Sequence, residues 1–360
     1  MKKRFATKKK AEKEADLPAE ETNRQPPAGQ VVEADTIEIM DDLPADADND
    51  PPTSDWKPTY YLEEDDIDFP DQDEVRGDQI GVTTPVDDPE SQTVGFEEPA
   101  SATNRPLPRV IAVANQKGGV GKTTTSVNLA ACLAEQGFRT LLIDLDPQAN
   151  ASTGLGLEPR EVGRSIYHVL LHDVEADSCI EPTEVKNLFL LPSSLDLAGA
   201  EIELVPMMSR EHRLRLAIES VIDDYDYVLI DCPPSLGLLT VNALAAAKEL
   251  LVPIQCEYYA LEGLGQLMRN VDLVRANLNS DLQISHIVLV MFDPRTKLAG
   301  QVVDEVRKHF GNRVCSNVIP RTVRLSEAPS FGQPITTFDS GSRGAAAYRA
   351  VAQEVIGGQE

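Results

Sequence analysis

Gln116-Lys117-Gly118-Gly119-Val120-Gly121-Lys122-Thr123-Thr124 is the stretch whose residue types point to the most specific chemistry. Its G-x-x-G-K-T core fits a loop that wraps a phosphate chain. Glycines let the backbone bend until several N–H groups converge on one anion. A helix opening directly after the loop adds the positive end of its dipole. Lys122 is then placed to reach the β- and γ-phosphates of a nucleotide, and the Thr123 hydroxyl to bind Mg2+. A Gly-rich turn that binds nothing is the competing reading, and the strand and helix expected on either side argue against it. The common phosphate-loop spacing asks for Gly at position 116. This chain has Gln116 there, with Lys117 at the start of the loop.

Two aspartate motifs follow. Leu142-Ile143-Asp144-Leu145-Asp146-Pro147-Gln148 closes one apolar run, and Tyr227-Val228-Leu229-Ile230-Asp231-Cys232-Pro233-Pro234 closes another. Aspartates at the C-terminal ends of strands stand where an open α/β sheet binds its ligand. Asp231 reads as a Walker B residue, holding Mg2+ through its water shell. Any single Asp also serves as a turn former. Three of them ending apolar strands in this order favour a site.

These residues need elements to position them. Val110–Ala114, Thr140–Leu145, Leu188–Leu191, Tyr227–Ile230, Leu250–Ile254 and Ile284–Val290 are short apolar runs of the kind found in buried parallel strands. Helices are expected between and after them at Lys122–Gln136, Arg210–Ile222, Leu238–Ala247, Leu261–Asn277, Gly300–Phe310 and Gly344–Val355. Gly137 is placed to end the first of these. The alternation predicts an α/β fold: a doubly wound, mostly parallel sheet with helices on both faces, in the manner of a P-loop nucleoside triphosphatase. Arg105-Pro106-Leu107-Pro108 reads as the last linker, so the ATPase-type domain is expected over residues 106–360, with order from Arg109.

The chain has 360 residues and a formal net charge of −26, unevenly spread. Residues 1–105 hold 28 acidic and 11 basic side chains; residues 106–360 hold 31 and 22. The first segment starts Lys-rich, turns acidic, and has few apolar runs beyond an island at Trp56, Tyr60 and Tyr61. Such a segment buries too little apolar surface to offset its ordering entropy, so a disordered extension is expected there. Cys132, Cys179, Cys232, Cys256 and Cys315 are odd in number and form no CxxC pair, which suits reduced thiols. No apolar run approaches the ~18 residues of a membrane span, and the basic start lacks the apolar stretch of a signal peptide. A cytoplasmic protein with no membrane partner is expected.

The K-G-G-x-G-K-T-T loop resembles the deviant Walker A of the superfamily that unites ParA, MinD and the nitrogenase iron protein. The resemblance covers about residues 109–356. Val318-Ile319-Pro320-Arg321-Thr322-Val323-Arg324-Leu325-Ser326-Glu327-Ala328-Pro329-Ser330-Phe331-Gly332 and Met291-Phe292-Asp293-Pro294-Arg295-Thr296-Lys297-Leu298 are similar to ParA/Soj stretches. The resemblance implies ATP and Mg2+ bound by residues 117–124. It implies that Lys117 crosses a homodimer interface to the partner's phosphates, a second cation for the transferred phosphoryl group. It also implies Asp144 near the metal shell, Asp146 holding the attacking water, and Pro320 and Thr322 beside the adenine. Thr322 departs from the Asn frequent at that position, which weakens its own assignment.

Arg295 and Arg324 are implied as non-specific DNA contacts, suited to phosphate by their planar fork. A local basic patch binds DNA even on an acidic protein; surface ion pairs are the alternative for both arginines. The implied function is a DNA-segregation ATPase associated with the nucleoid, slow by itself and stimulated by a ParB-like centromere-binding protein. A MinD-like division-site ATPase would end in a basic amphipathic helix, whereas Ala345–Val355 is small and nearly neutral. A related ATPase that positions another cargo, and a scaffold with negligible hydrolysis, are the remaining alternatives.

Overall fold

The computed structural model describes residues 106–257 and 260–357. The expected N-terminal extension, its Lys-rich start and its aromatic island lie outside the described residues.

Strand β1 (Arg109–Val113) leads through the Gly-rich loop into α1 (Lys122–Glu135) and β2 (Thr140–Asp144). Short helices α2 (Asn150–Gly154) and α3 (Ile166–Leu171) precede β3 (Glu181–Pro182) and β4 (Leu188–Leu191). Helices α4 (Leu197–Leu204) and α5 (Arg213–Ile218) lead to β5 (Tyr227–Asp231), α6 (Leu238–Ala246) and β6 (Glu249–Gln255). The chain continues through α7 (Ala260–Asn277), β7 (Gln283–Val290), α8 (Lys297–Phe310), α9 (Val323–Glu327), α10 (Ile335–Phe338) and α11 (Arg343–Gly357).

The strands form one seven-stranded sheet in the order β3-β4-β2-β5-β1-β6-β7. Only the β3–β4 pair is antiparallel. Strand β1 is buried throughout and alternates between the two faces of the sheet. Val110 and Ala112 join the apolar cluster that includes α3 to α8. Ile111 and Val113 join the cluster built by α1, α2, α10 and α11. Burial on both faces explains why the strand sequences are continuous apolar runs rather than alternating ones.

Strand β1 is anchored at its first residue, Arg109. Its guanidinium bonds both oxygens of Glu249 on β6, at 2.6 and 2.7 Å, and also donates to the Val355 carbonyl on α11. The pair is buried, so removing one partner would strand a charge at a cost of about 3–5 kcal/mol. At the other end of α1, Gly137 adopts φ +95°, and its N–H bonds the Ala134 carbonyl, which closes the helix.

The helix expected over Arg210–Ile222 is shorter, Arg213–Ile218. Helices α2, α3, α4, α9 and α10 occupy segments where the sequence pattern gave no element. All are eight residues or fewer, too short for a 3.6-residue period to stand out.

Candidate nucleotide site

The loop between β1 and α1 is built from both ends. At its base, Asn115 Nδ2 donates to the Pro253 carbonyl on β6 at 2.8 Å, and its Oδ1 accepts the Lys117 N–H at 3.0 Å. Gly119 and Gly121 both take φ +75° on either side of the buried Val120. Only glycine holds that region without strain, and it turns the N–H groups inward. Gly121 caps α1 with no side-chain acceptor, so the first N–H groups of a 14-residue helix await an anion. Lys122 folds over the loop, and its ammonium donates to the Lys117 carbonyl at 3.1 Å. Burial pulls its pKa below the ordinary lysine value, opposed by Asp231, Cys232 and Asp146. A phosphate would restore the charge that burial opposes.

Strands β2 and β5 run in register, so Asp144 and Asp231 lie opposite each other. Both are fully buried, and they are used differently. Asp144 accepts the Asp146 N–H at 3.2 Å on Oδ1, and both the Ser152 N–H and hydroxyl, at 2.8 and 2.7 Å, on Oδ2. Its two oxygens therefore pin the loop that carries Asp146 to α2. Burial lifts its pKa to about 6. Asp231 Oδ1 accepts the Ser126 hydroxyl at 2.8 Å, while Oδ2 is buried with no hydrogen-bond partner among the described residues. Burial, and next the charge of Asp144, push the Asp231 pKa to about 8 against the Ser126 and Thr123 hydroxyls.

An orphaned buried carboxylate oxygen beside a threonine hydroxyl is what a hydrated divalent cation fits. No group of three or more His, Cys, Asp or Glu able to cage a metal exists among the described residues. Such an ion would therefore complete its shell with water and phosphate oxygens, the habit of Mg2+.

Asp146 is nearly buried, and its Oδ1 accepts the Gln148 N–H at 2.9 Å. It borders a cavity of about 220 Å³ with Pro147, Gln148, Pro233, Pro234, Ser235 and three residues of α4 and α6. Lys117 stands at the edge of the loop, 40% exposed, and its ammonium pairs with Glu257 at 3.0 Å.

The adenine-side candidates come next to β7. Phe292 bridges Pro320, and the Phe292 N–H and carbonyl bond Ile319 and Arg321. Met291, at the end of β7, lies close to Gly121. Pro320 is thus brought to the loop's flank, whereas the Thr322 hydroxyl caps α9 by accepting the Leu325 N–H at 3.3 Å. Arg295 is 86% exposed and forms a fork with Asp293, at 2.8 and 2.6 Å, which holds that carboxyl down at about 2. Arg324 pairs with Glu327 and Asp339 at 3.1 and 3.0 Å. Arg321 also lies in the field of Asp293.

The segment that follows Arg324 is tied to α1 and to the turn after α2. Asn128 of α1 accepts the Ile335 N–H at 2.7 Å. Gly332, at φ +64°, meets Gly156 so closely that a Cβ would lie 2.7 Å from the Gly156 Cα. The sequence analysis singled out none of Asn115, Ser126, Ser152 and Glu257, whose partners are 105 or more residues distant in three cases. Ser126 alone carries a hint, four residues after Lys122 and so on the same helix face.

A model of the AAA domain family matches residues 108–284. The sporulation initiation inhibitor protein Soj of Bacillus subtilis is 56% identical over 247 residues, 69% of this chain and 98% of Soj. The chain belongs to the ParA/Soj family of P-loop ATPases. The chromosome partitioning protein ParA of Myxococcus xanthus is 53% identical over 248 residues, 69% of this chain and 88% of that one. A crystal structure of a Mycobacterium smegmatis protein named cobyrinic acid a,c-diamide synthase, with bound ATP analog and magnesium, superposes with a TM-score of 0.61. It is 40% identical and covers 69% of this chain and 94% of its own. Membership in the ParA/Soj family accounts for the Lys117-led loop, the paired aspartates at β2 and β5, and the sheet order together. The family model begins at residue 108, after the N-terminal segment.

Proposed function

We propose that this chain is a DNA-partitioning ATP hydrolase that closes into a homodimer around ATP and Mg2+. The observation that carries this reading is Lys117: partly exposed at the start of the phosphate loop, paired only with the exposed Glu257 carboxylate among the described residues, and so able to exchange that carboxylate for a partner's phosphate. The pair is exposed, so giving it up costs at most about 1 kcal/mol.

In this reading the N–H groups of Gly118 to Thr124 and the Lys122 ammonium hold the ATP phosphates. Pro320 packs against the adenine with Thr322 nearby. Thr123 and the free oxygen of Asp231 hold Mg2+ through its shell, with Asp144 fixing the neighbouring loop. Bound there, the ion would supply positive charge against the β- and γ-phosphates. Asp146, on a loop pinned by Asp144 and by the Ser193 hydroxyl at 2.7 Å from its carbonyl, orients water for in-line attack on the γ-phosphorus. The phosphate-loop and aspartate motifs supply no arginine for the developing charge, so turnover alone is slow. A ParB-like centromere-binding protein raises it.

Closure brings Arg295 and Arg324 of both chains onto one DNA face, where phosphates displace Asp293, Glu327 and Asp339. Loss of the γ-phosphate loosens the dimer and releases DNA. Location in the cytoplasm on the nucleoid follows from this reading; among the described residues no helix is long and apolar enough to cross a membrane. The partition reading is preferred to amide synthesis because the partition relatives are the more similar, at 56% and 53% against 40% identity. The test is ATP hydrolysis alone, with DNA, and with DNA plus a ParB-like protein. Slow turnover, stimulated most by the pair, is expected; unstimulated turnover in all three mixtures would overturn the reading.

A further inference from the structure

The cavity beside Asp146 has a second carboxylate in its wall, Glu201 of α4, which the hydrolysis proposed for Asp146 does not use. Its Oε1 is buried and has no hydrogen-bond partner among the described residues. A buried acceptor left unpaired costs free energy, and more when it is charged, so such a group calls for a reason. The carboxyl group rests on the backbone of Gly237: a Cβ there would collide with the Oε1, Cδ and Oε2 atoms of Glu201. Gly237 has φ −82°, open to any residue, so it is the carboxyl group and not the backbone conformation that excludes a side chain at this position. Gly237 is also the N-cap of α6, a nine-residue helix that starts with no side-chain cap and no acidic residue in its first turn. The first N–H groups of a helix have no intrahelical partner, and its dipole makes that end positive. Glu201 supplies the negative charge from another element.

We propose that Glu201 is a positioning residue for ATP hydrolysis: by holding Gly237 and the start of α6, its carboxylate sets where the loop after Asp231 stands around the cavity of Asp146. That loop carries Pro233, Pro234 and Ser235, which line the cavity together with Asp146, Gln148 and Glu201. The Thr240 hydroxyl, in the first turn of α6, donates to the Ser235 carbonyl at 2.6 Å, so the loop and the helix start are joined. Asp144 and Ser193 fix the Asp146 side of the cavity, and Glu201 fixes the wall built by the β5 loop. Glu201 acts through the Gly237 backbone and touches no phosphate. The inference rests on the hydrolytic role proposed for Asp146 and assigns the group that shapes its cavity. Displacing part of such a site by about 1 Å can cost on the order of 100-fold in rate. The loss belongs to the hydrolytic step, because the contacts that hold ATP lie in the phosphate loop.

The test uses full-length wild type, Glu201→Ala, Gly237→Ala, the double variant and Asp146→Ala, each with Mg2+. Single-turnover hydrolysis of bound ATP gives the rate of the chemical step, a fluorescent ATP analogue gives affinity, and thermal unfolding checks the fold. Glu201→Ala and Gly237→Ala should each slow hydrolysis about tenfold or more, with affinity unchanged within about twofold. Both act on one contact, so the double variant should be about as slow as either single variant rather than slowed by the product of the two. If Glu201→Ala unfolds, Glu201→Gln, which keeps the volume and removes the charge from the start of α6, takes its place. A wild-type rate for Glu201→Ala, with Asp146→Ala inactive, would overturn the role of Glu201 alone. So would losses that multiply in the double variant, or a fall in ATP affinity in step with the rate. Wild-type rates in both Glu201→Ala and Asp146→Ala would overturn the hydrolytic reading of Asp146 and this inference together.

Discussion

Replacing Asp231 by Asn should make the nucleotide-free protein more stable, and increasingly so as pH rises. In the folded chain burial holds the Asp231 carboxyl at a pKa of about 8, while an unfolded aspartate titrates at about 3.9. Between those values the folded state keeps a proton that the unfolded state has lost. Stability therefore falls with rising pH across this window, the reverse of a salt-bridged carboxylate. Asp144 behaves alike only up to about 6, so above that pH the slope belongs chiefly to Asp231. One proton difference is worth about 1.4 kcal/mol per pH unit; from pH 6.5 to 7.5, with the group partly ionised at the upper end, about 1 kcal/mol remains. Asn keeps the acceptor for Ser126 and removes the charge. Urea unfolding of both proteins in chelator at pH 6.5 and 7.5 measures the difference in slope, and shared histidine effects cancel. Adding ATP and Mg2+ should stabilise wild type and do far less for Asp231→Asn. Equal slopes in chelator would refute the buried, metal-ready carboxylate.

Asp146→Ala should bind ATP and persist as a dimer, since the phosphate contacts remain while the water loses its partner; hydrolysis at the wild-type rate would move the catalytic role elsewhere. Arg295→Glu and Arg324→Glu should each weaken binding to any duplex alike without changing ATP affinity, because phosphate contacts carry no base information. A filter-binding assay on two unrelated duplexes separates this from a sequence-selective loss, which would contradict the patch. A chain starting at Arg109 should bind DNA more tightly than the full chain at low salt, with the gain shrinking as salt rises. The prediction assumes that a flexible segment of residues 1–105, net −17 by count, would compete with DNA for the arginines at high effective concentration. Equal or weaker binding by the shortened chain would favour recruitment by that segment.

The site's outline was legible because its parts are local. A Gly-rich loop, a Lys-Thr pair and aspartates closing apolar runs each declare themselves within a dozen residues, and the buried sheet makes each strand a continuous apolar run. What the sequence could not distinguish was the division of labour between Asp144 and Asp231. Both end apolar strands, yet one spends its oxygens on Ser152 and the Asp146 backbone while the other keeps one free. That difference depends on α2, a five-residue helix with no periodic signal. The Lys117–Glu257 pair and the Gly156–Gly332 contact join residues more than a hundred positions apart, where pattern carries no information. The α4 segment carried no periodic signal, so the exposure of Ile202 and Val205 beside the buried Leu197, Ala200 and Leu204 emerges only from the structure.

The central claim is that Lys117 acts on its partner's nucleotide. Mixing two inactive proteins tests it directly. Lys117→Ala keeps Asp146 but offers nothing across the interface; Asp146→Ala keeps Lys117 but cannot orient water. When the two are mixed before ATP is added, a heterodimer holds one site with its own Asp146 and the partner's Lys117. ATP hydrolysis in the mixture, clearly above that of either variant alone, is the predicted result. A mixture as inactive as its components, with heterodimers demonstrated by sedimentation, would show that Lys117 serves its own site.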